Sequence, residues 1–208
     1  MKRLALISVF LTGLGMAASP AAATAIHVQV NTAPLIGNAA APFFLDFALT
    51  DGSGTLAGPN TVVVSNFNFA GGGAVGAPTL SGGAVGSLAG SVTLSDSLNA
   101  FSEFFQQFTP GAVLGFDVTT TNNVDPVAPD AFVFAILDKN LANLPTTGLL
   151  DSLLLVNVTR SATIATASTT APAGVTVAAA AIPEPTTLLL LGTGIVAVAR
   201  RMRVGRPF

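Results

Sequence analysis

The sequence predicts an all-β fold, an antiparallel β-sandwich of jelly-roll type, and three observations predict it. Segment after segment alternates apolar and polar residues with the period of two that marks a half-buried strand. Clusters rich in Gly, Pro, Asn and Asp punctuate them, as in DGSG at 51–54, TPGA at 109–112 and TNNVDPVAPD at 121–130. Seven to nine such strands with little helical periodicity, in a chain that is 50% hydrophobic, need two sheets packed face to face. The 208 residues hold one such domain between processed ends.

The first element is not part of the fold. Residues 1–25 carry Lys2 and Arg3, then an apolar run from Leu4 to Met16, then small residues from Ala21 to Ala25. This is the three-part layout of a secretory signal peptide, and it implies signal peptidase and a Sec-type export machinery as partners. Gly13, Gly15 and Pro20 weaken it as a permanent anchor. Ala23-Thr24-Ala25 fits cleavage after Ala25, with cleavage after Ala23 as the alternative.

The domain is expected at 26–167. Ile26, Val28 and Val30 alternate with His27, Gln29 and Asn31, and Phe43, Leu45, Phe47 and Leu49 with a face that includes Asp46 and Thr50. Further strands are expected at 61–69, 91–94, 112–120, 131–137 and 153–159, the last two apolar enough to lie centrally. FSEFFQQF at 101–108 is ambiguous. Phe101, Phe104, Phe105 and Phe108 have helical spacing, whereas Phe104, Gln106 and Phe108 alternate and lead through Thr109-Pro110-Gly111 into Leu114, Phe116 and Val118. A hairpin is the favoured reading, because an isolated two-turn helix is marginal. Residues 168–181, rich in Ala, Thr and Ser, are read as a linker with too little bulk to offset backbone ordering, although 161–167 leave room for a last strand.

Charge excludes one class of function. Between Ile26 and Ala181 only Lys139 and Arg160 stand against nine acidic residues, so no basic stripe exists to displace counterions from nucleic acid. The absence of cysteine removes disulfides, thiolate metal sites and thiol catalysis. His27 is the single histidine, and its place near the mature N-terminus makes it a frayed candidate base for hydrolytic chemistry. No enzyme is expected and no cofactor is required. Asp46, Asp51, Asp125 and Asp130 fall at strand ends or in turns, where carboxylates and carbonyls can hold a structural calcium ion without EF-hand spacing.

GGGAVG at 71–76 matches the glycine spacing of a dinucleotide loop, with Asp96 twenty residues on, but Pro78 and further glycines leave no helix N-terminus for a phosphate. The stretch is instead a tandem repeat, GGAVGAPTLS at 72–81 and GGAVGSLAGS at 82–91, expected as a floppy loop or a sheet-edge insertion. Neither Trp nor Tyr is present to stack on a sugar ring, and the twelve Phe of the domain are assigned to the core.

The C-terminal 182–208 reads IPEPTTLLLLGTGIVAVARRMRVGRPF. Pro183 and Pro185 stop a helix from extending backward. The apolar stretch from Leu188 to Ala199 spans roughly 18 Å as a helix, against about 30 Å of hydrocarbon. Its large aliphatic side chains supply roughly −2 to −4 kcal/mol of insertion free energy, so it enters the membrane marginally. Arg200, Arg201 and Arg203 act as a stop-transfer cluster that keeps the tail cytoplasmic while the domain lies outside. Pro-Glu-Pro, a Leu-rich run with Gly-x-Gly and an arginine cluster, in that order, resemble the PEP-CTERM sorting signal of Gram-negative bacteria. The resemblance implies processing by an exosortase, a membrane-embedded cysteine transpeptidase, with Pro183, Glu184 and Pro185 as recognition residues. The domain is similar, in PFFLDFALTDGSGT (42–55), SNFNFAGGGA (65–74) and PDAFVFAILD (129–138), to an uncharacterised family of exported PEP-CTERM proteins. Together these features give the expectation of an exported, non-enzymatic cell-surface or exopolysaccharide-matrix protein, with a weak carbohydrate-binding module as the alternative.

Overall fold

Alternation becomes two sheets. The computed structural model describes residues 24–125, 127–159, 162–170 and 173–182. The strands are β1 (Thr24–Asn31), β2 (Phe43–Thr50), β3 (Thr61–Asn68), β4 (Gly73–Ala74), β5 (Thr79–Ser81), β6 (Val85–Gly86), β7 (Val92–Ser95), β8 (Phe101–Thr109), β9 (Val113–Thr120), β10 (Asp130–Leu137), β11 (Leu154–Val158), β12 (Thr163–Thr166) and β13 (Thr176–Ala181). One sheet has the order β13-β1-β9-β3-β7-β6, the other β12-β11-β10-β2-β8-β4 with β5 also on β8. Every pairing is antiparallel. From β1 to β3 and again from β7 to β9 each successive strand lies in the opposite sheet, which places β9 between β1 and β3, and β8 beside β2. This is jelly-roll winding, as the sequence predicts.

The FSEFFQQF segment is strand, but it does not form the expected hairpin with the next strand. β8 pairs with β2, and β9 pairs with β1 and β3 in the other sheet, so the chain crosses between sheets at Pro110–Ala112. Gly111 makes the corner possible, since a Cβ there would stand 1.9 Å from the Phe69 carbonyl oxygen. The crossing sets Phe104 and Phe108 in one sheet against the opposed Leu114, Phe116 and Val118, all buried. Facing each other across the core removes more apolar surface from water than a side-by-side ribbon would.

Phe47 of β2 is the centre of that core. Fully buried, its ring lies 5.2 Å from Phe134, 5.5 Å from Phe116, 6.0 Å from Phe104, 6.1 Å from Phe67 and 6.2 Å from Phe132. Phe67 reaches this cluster because β3 carries a bulge between Ser65 and Asn68, where Asn66 adopts φ 57°. The extra residue shifts the inward phase from Val62 and Val64 to Phe67 and Phe69.

The 168–181 stretch, expected to be a linker, carries β13, which pairs along β1 from Ile26↔Ala181 to Asn31↔Thr176. Val175 just before it is fully buried, and Val177 and Ala179 pack on the core. Small side chains do not preclude an edge strand, because its partners are the backbone groups that β1 offers. Likewise the glycine repeat is ordered at both sheet edges. The first copy supplies β4 and β5 on β8, and the second supplies β6 on β7. Buried Gln106 ties the copies together, donating from Nε2 to the Gly76 carbonyl (2.7 Å) and accepting at Oε1 from the Leu88 amide (3.0 Å).

Not every phenylalanine is core. Phe44 and Phe105 lie on the outer face of the second sheet with ring centroids 5.5 Å apart. Asp46 shares that face, in register with Phe105 on one side and Ala135 on the other. Its Oδ1 is enclosed and accepts no hydrogen bond. Burial, and then the neighbouring Glu103, push its pKa from 3.8 up to about 7.

Two outcomes are expected. Phe47→Ala should lower unfolding free energy in urea by about 3–5 kcal/mol, because the surrounding rings cannot close the cavity; a loss below about 1 kcal/mol would contradict its central place. Asp46 keeps its proton in the native state up to about pH 7 and loses it near 3.8 when unfolded. Its contribution to stability is therefore complete below 3.8 and lost as pH rises through 7. Asp46→Asn, neutral throughout, should gain on the wild type between about pH 4 and pH 8 by about 1–3 kcal/mol in urea denaturation; a difference independent of pH would refute the buried-carboxyl account.

Candidate functional site

The jelly-roll winding brings two loops to one end of the sandwich. Residues 51–60 connect β2 to β3 and residues 121–129 connect β9 to β10, and the Thr50↔Ala131 pair holds their roots together. The loops touch backbone to backbone: at Gly58, with φ +63°, a Cβ would lie 2.7 Å from the Val124 carbonyl oxygen. Asp51 leaves β2, Asp130 opens β10, and Asp125 lies in the second loop. One carboxylate oxygen from each comes within 4.8 Å of those of the other two. Three of the four acids singled out as calcium ligands thus converge, and Asp46 stands apart at mid-strand on the outer face.

Backbone donors organise the cluster. Asp51 Oδ1 accepts from the amides of Ser53 (2.9 Å) and Gly54 (3.0 Å), and its Oδ2 from Leu56 (2.5 Å). Burial works to raise the Asp51 pKa, but these amides and the Ser53 hydroxyl outweigh it and hold the group below its ordinary value. Asp125 is held low first by the Ser53 hydroxyl and then by the Val127 amide, against burial and the repulsion of Asp51. The Ser53 Oγ lies 2.9 Å from Asp51 Oδ1 and 2.7 Å from Asp125 Oδ2. A hydroxyl has one proton, so the two carboxylates share it and it lowers only one of them at a time, the backbone amides holding the other. Asp130 accepts from the Gly52 amide (3.3 Å) and from Asn60 Nδ2 (2.6 Å).

Asn60 extends the site to a residue that the sequence did not signal. Its amide donates to Asp96 Oδ1 at 2.6 Å, so one asparagine joins Asp96 and Asp130. Asp96 is 1% exposed, and its Oδ2 is buried without a hydrogen-bond partner. Burial raises its pKa, the Asn60 amide opposes this, and the facing Asp130 carboxyl adds to it. The buried Asp96 has no part in a ribose site. The GGGAVG stretch leads into β5, not into a helix. Neither Asp96 nor Asn60 could be placed here from sequence, since the contacts bridge 36 and 70 positions.

His27 is not frayed. It sits within β1 between β13 and β9, and Nδ1 lies 2.6 Å from Asp117 Oδ1, while Asn66 Nδ2 donates to Asp117 Oδ2 at 2.8 Å. Asp117 is held below its usual range by Asn66 first and His27 second. Ser65 pairs with Asp117 on the side away from His27, so the three residues stand in the order His, Asp, Ser across three strands. A nucleophile would have to meet the imidazole, not the carboxylate, for that set to work as a triad.

The sorting residues Pro183, Glu184 and Pro185, and the stop-transfer Arg200, Arg201 and Arg203, lie outside the described residues, as do residues 1–23. Among the described residues no helix is long and apolar enough to cross a membrane. The approach to the sorting segment is well defined. β13 ends at Ala181, opposite Ile26, and the Ile182 amide donates to the Ala25 carbonyl at 2.7 Å. Thr24 and Ala25, placed in the signal peptide on sequence grounds, are here the first residues of β1, paired with Thr120 and Thr119.

No curated protein and no solved structure matches the chain. Residues 181–204 match the family model of the PEP-CTERM protein-sorting motif, so the chain carries, from the last residue of its closing strand onward, the signal that directs export through exosortase sorting.

Proposed function

We propose that this is a non-enzymatic protein of the cell surface or exopolysaccharide matrix, a β-sandwich delivered through its PEP-CTERM signal and trimmed after delivery. The observation that carries the reading is the junction at Ala181. The motif begins where β13 ends, so a cut near Pro183–Pro185 removes the membrane segment and leaves every strand in place. The transient membrane stage depends on the short apolar run and Arg200, Arg201 and Arg203, and exosortase is the processing partner. At the other end, cleavage after Ala23 keeps the Thr24↔Thr120 and Ala25↔Thr119 pairs, whereas cleavage after Ala25 discards them. We therefore favour Thr24 as the mature N-terminus.

A second reading, weak carbohydrate binding, is favoured by the outer face of the second sheet. Phe44 and Phe105 offer paired rings there, with the Glu103 carboxyl on the same face as a hydrogen-bonding group for hydroxyls.

Intact-mass measurement on protein recovered from the producing cell tests the first reading. The expected species lacks residues 1–23 and everything beyond about Ile182, and an exosortase-deficient strain should retain the tail. Full-length C-terminus in the outer envelope of a competent strain would defeat it. For the second reading, saturable binding to exopolysaccharide that falls at least about fivefold in Phe105→Ala supports the face, since lost stacking is worth about 1 kcal/mol or more. Binding unchanged by that substitution, or no binding, removes this reading.

A further inference from the structure

We propose that the Asp51–Asp125–Asp130 cluster is a calcium site that joins the 51–60 and 121–129 loops after export. Three carboxylate oxygens within 4.8 Å of one another are spaced to share one cation. Oxygen-only ligands select a hard ion, and the absence of His and Cys from the cluster argues against zinc.

Charge balance argues in the same direction. Asp51, Asp125 and Asp130 are each less than a tenth exposed, and among the described residues the one ion pair found is His27 with Asp117, far along the sheet. Among the described residues no lysine or arginine pairs with the cluster. Buried carboxylates without a counter-charge are costly even when amides solvate them.

Asp96 is the independent sign of a ligand. This side chain, which directly follows β7, stands against the Asp130 carboxyl, is 1% exposed, and has an Oδ2 that accepts no hydrogen bond. Two carboxyls in contact in a closed space are stabilised by a shared proton or by a cation close by. The Ser53 hydroxyl shows the same shortage, one proton between two carboxylates at 2.9 and 2.7 Å. A divalent ion at the cluster satisfies both.

The ion would matter for assembly. Asp51 and Asp125 come from two loops whose roots the Thr50↔Ala131 pair holds together, and the cluster closes the end of the sandwich where β2, β3, β9 and β10 meet. Ligand affinities of about 10⁻⁴–10⁻³ M are typical of extracellular calcium modules, a range in which the site stays empty before export and fills outside.

The mature protein purified from the producing cell, stripped with EDTA, gives the test. Calcium chloride should raise the melting temperature by about 5 °C or more once free calcium exceeds the dissociation constant about 100-fold. Calorimetry should show one ion per chain, and magnesium at equal concentration should do much less. Asp125→Asn, which changes a loop residue and spares the strands, should weaken calcium binding at least about tenfold while leaving the EDTA-state melting temperature within about 2 °C. Asp46→Asn, distant from the cluster, should keep the full calcium response. A wild-type protein whose melting and calorimetry ignore calcium up to about 10 mM would overturn the proposal, as would an unaltered response in Asp125→Asn or an equal response to magnesium. Should Asp125→Asn fail to fold, the wild-type calorimetry alone decides.

Discussion

The structure depends on Phe47 meeting rings from both sheets at once. Its neighbours Phe104, Phe132 and Phe134 belong to its own sheet, and Phe67 and Phe116 come from the other. Aromatic rings at these distances fix the sheet separation near the ordinary ~10 Å and the lateral offset of the sheets. Once β2 and β9 are so aligned, their loops must emerge at shared ends. The acidic cluster is a consequence of that alignment, since no local sequence feature brings residue 51 to residue 125.

Scarcity of cations gives the domain its second character. With so few lysines and arginines, its carboxylates are satisfied by amides. Asp51, Asp125 and Asp138 each gather two or more backbone N–H groups, and each is held below its usual pKa. These residues act as organising centres for turns, which explains how long loops between short strands stay ordered without disulfides. Asp46 and Asp96 are the exceptions, each with a buried oxygen that accepts nothing. One lies on a sheet face with Glu103 for its acidic neighbour and the other stands against Asp130 of the three-acid cluster, and only the second has the company that a metal requires.

Most strands were legible because each buries one face. Residues 131–137 and 153–159 announce β10 and β11 through their apolar runs, and the observed bounds differ from the expected ones by a residue or two. Pairing was not legible. A period of two in FSEFFQQF followed by a Pro-Gly turn describes a hairpin and a sheet-crossing corner equally well, and the choice rests on Gly111 fitting under the Phe69 carbonyl. Strand β13 was hidden because its alanines carry little hydrophobic signal, although its hydrogen bonds to β1 need none. In the candidate site, Asp51, Asp125 and Asp130 stood out as turn acids, whereas Asp96 and Asn60 became visible only through contacts that no spacing encodes.

The two ends of the domain converge for a reason tied to how the chain travels. β1 follows the export segment and β13 precedes the sorting segment, and they pair with each other at the edge of one sheet. Without β13, β1 would present its row of free amides and carbonyls to other chains in a crowded envelope, a known route to aggregation. β13 is the last strand in chain order among the described residues, and the sorting motif begins at its final residue, Ala181. The β1 edge is therefore covered by the stretch that immediately precedes the sorting segment, so any processing that reached upstream of Ala181 would reopen it, whereas processing within the motif leaves it closed.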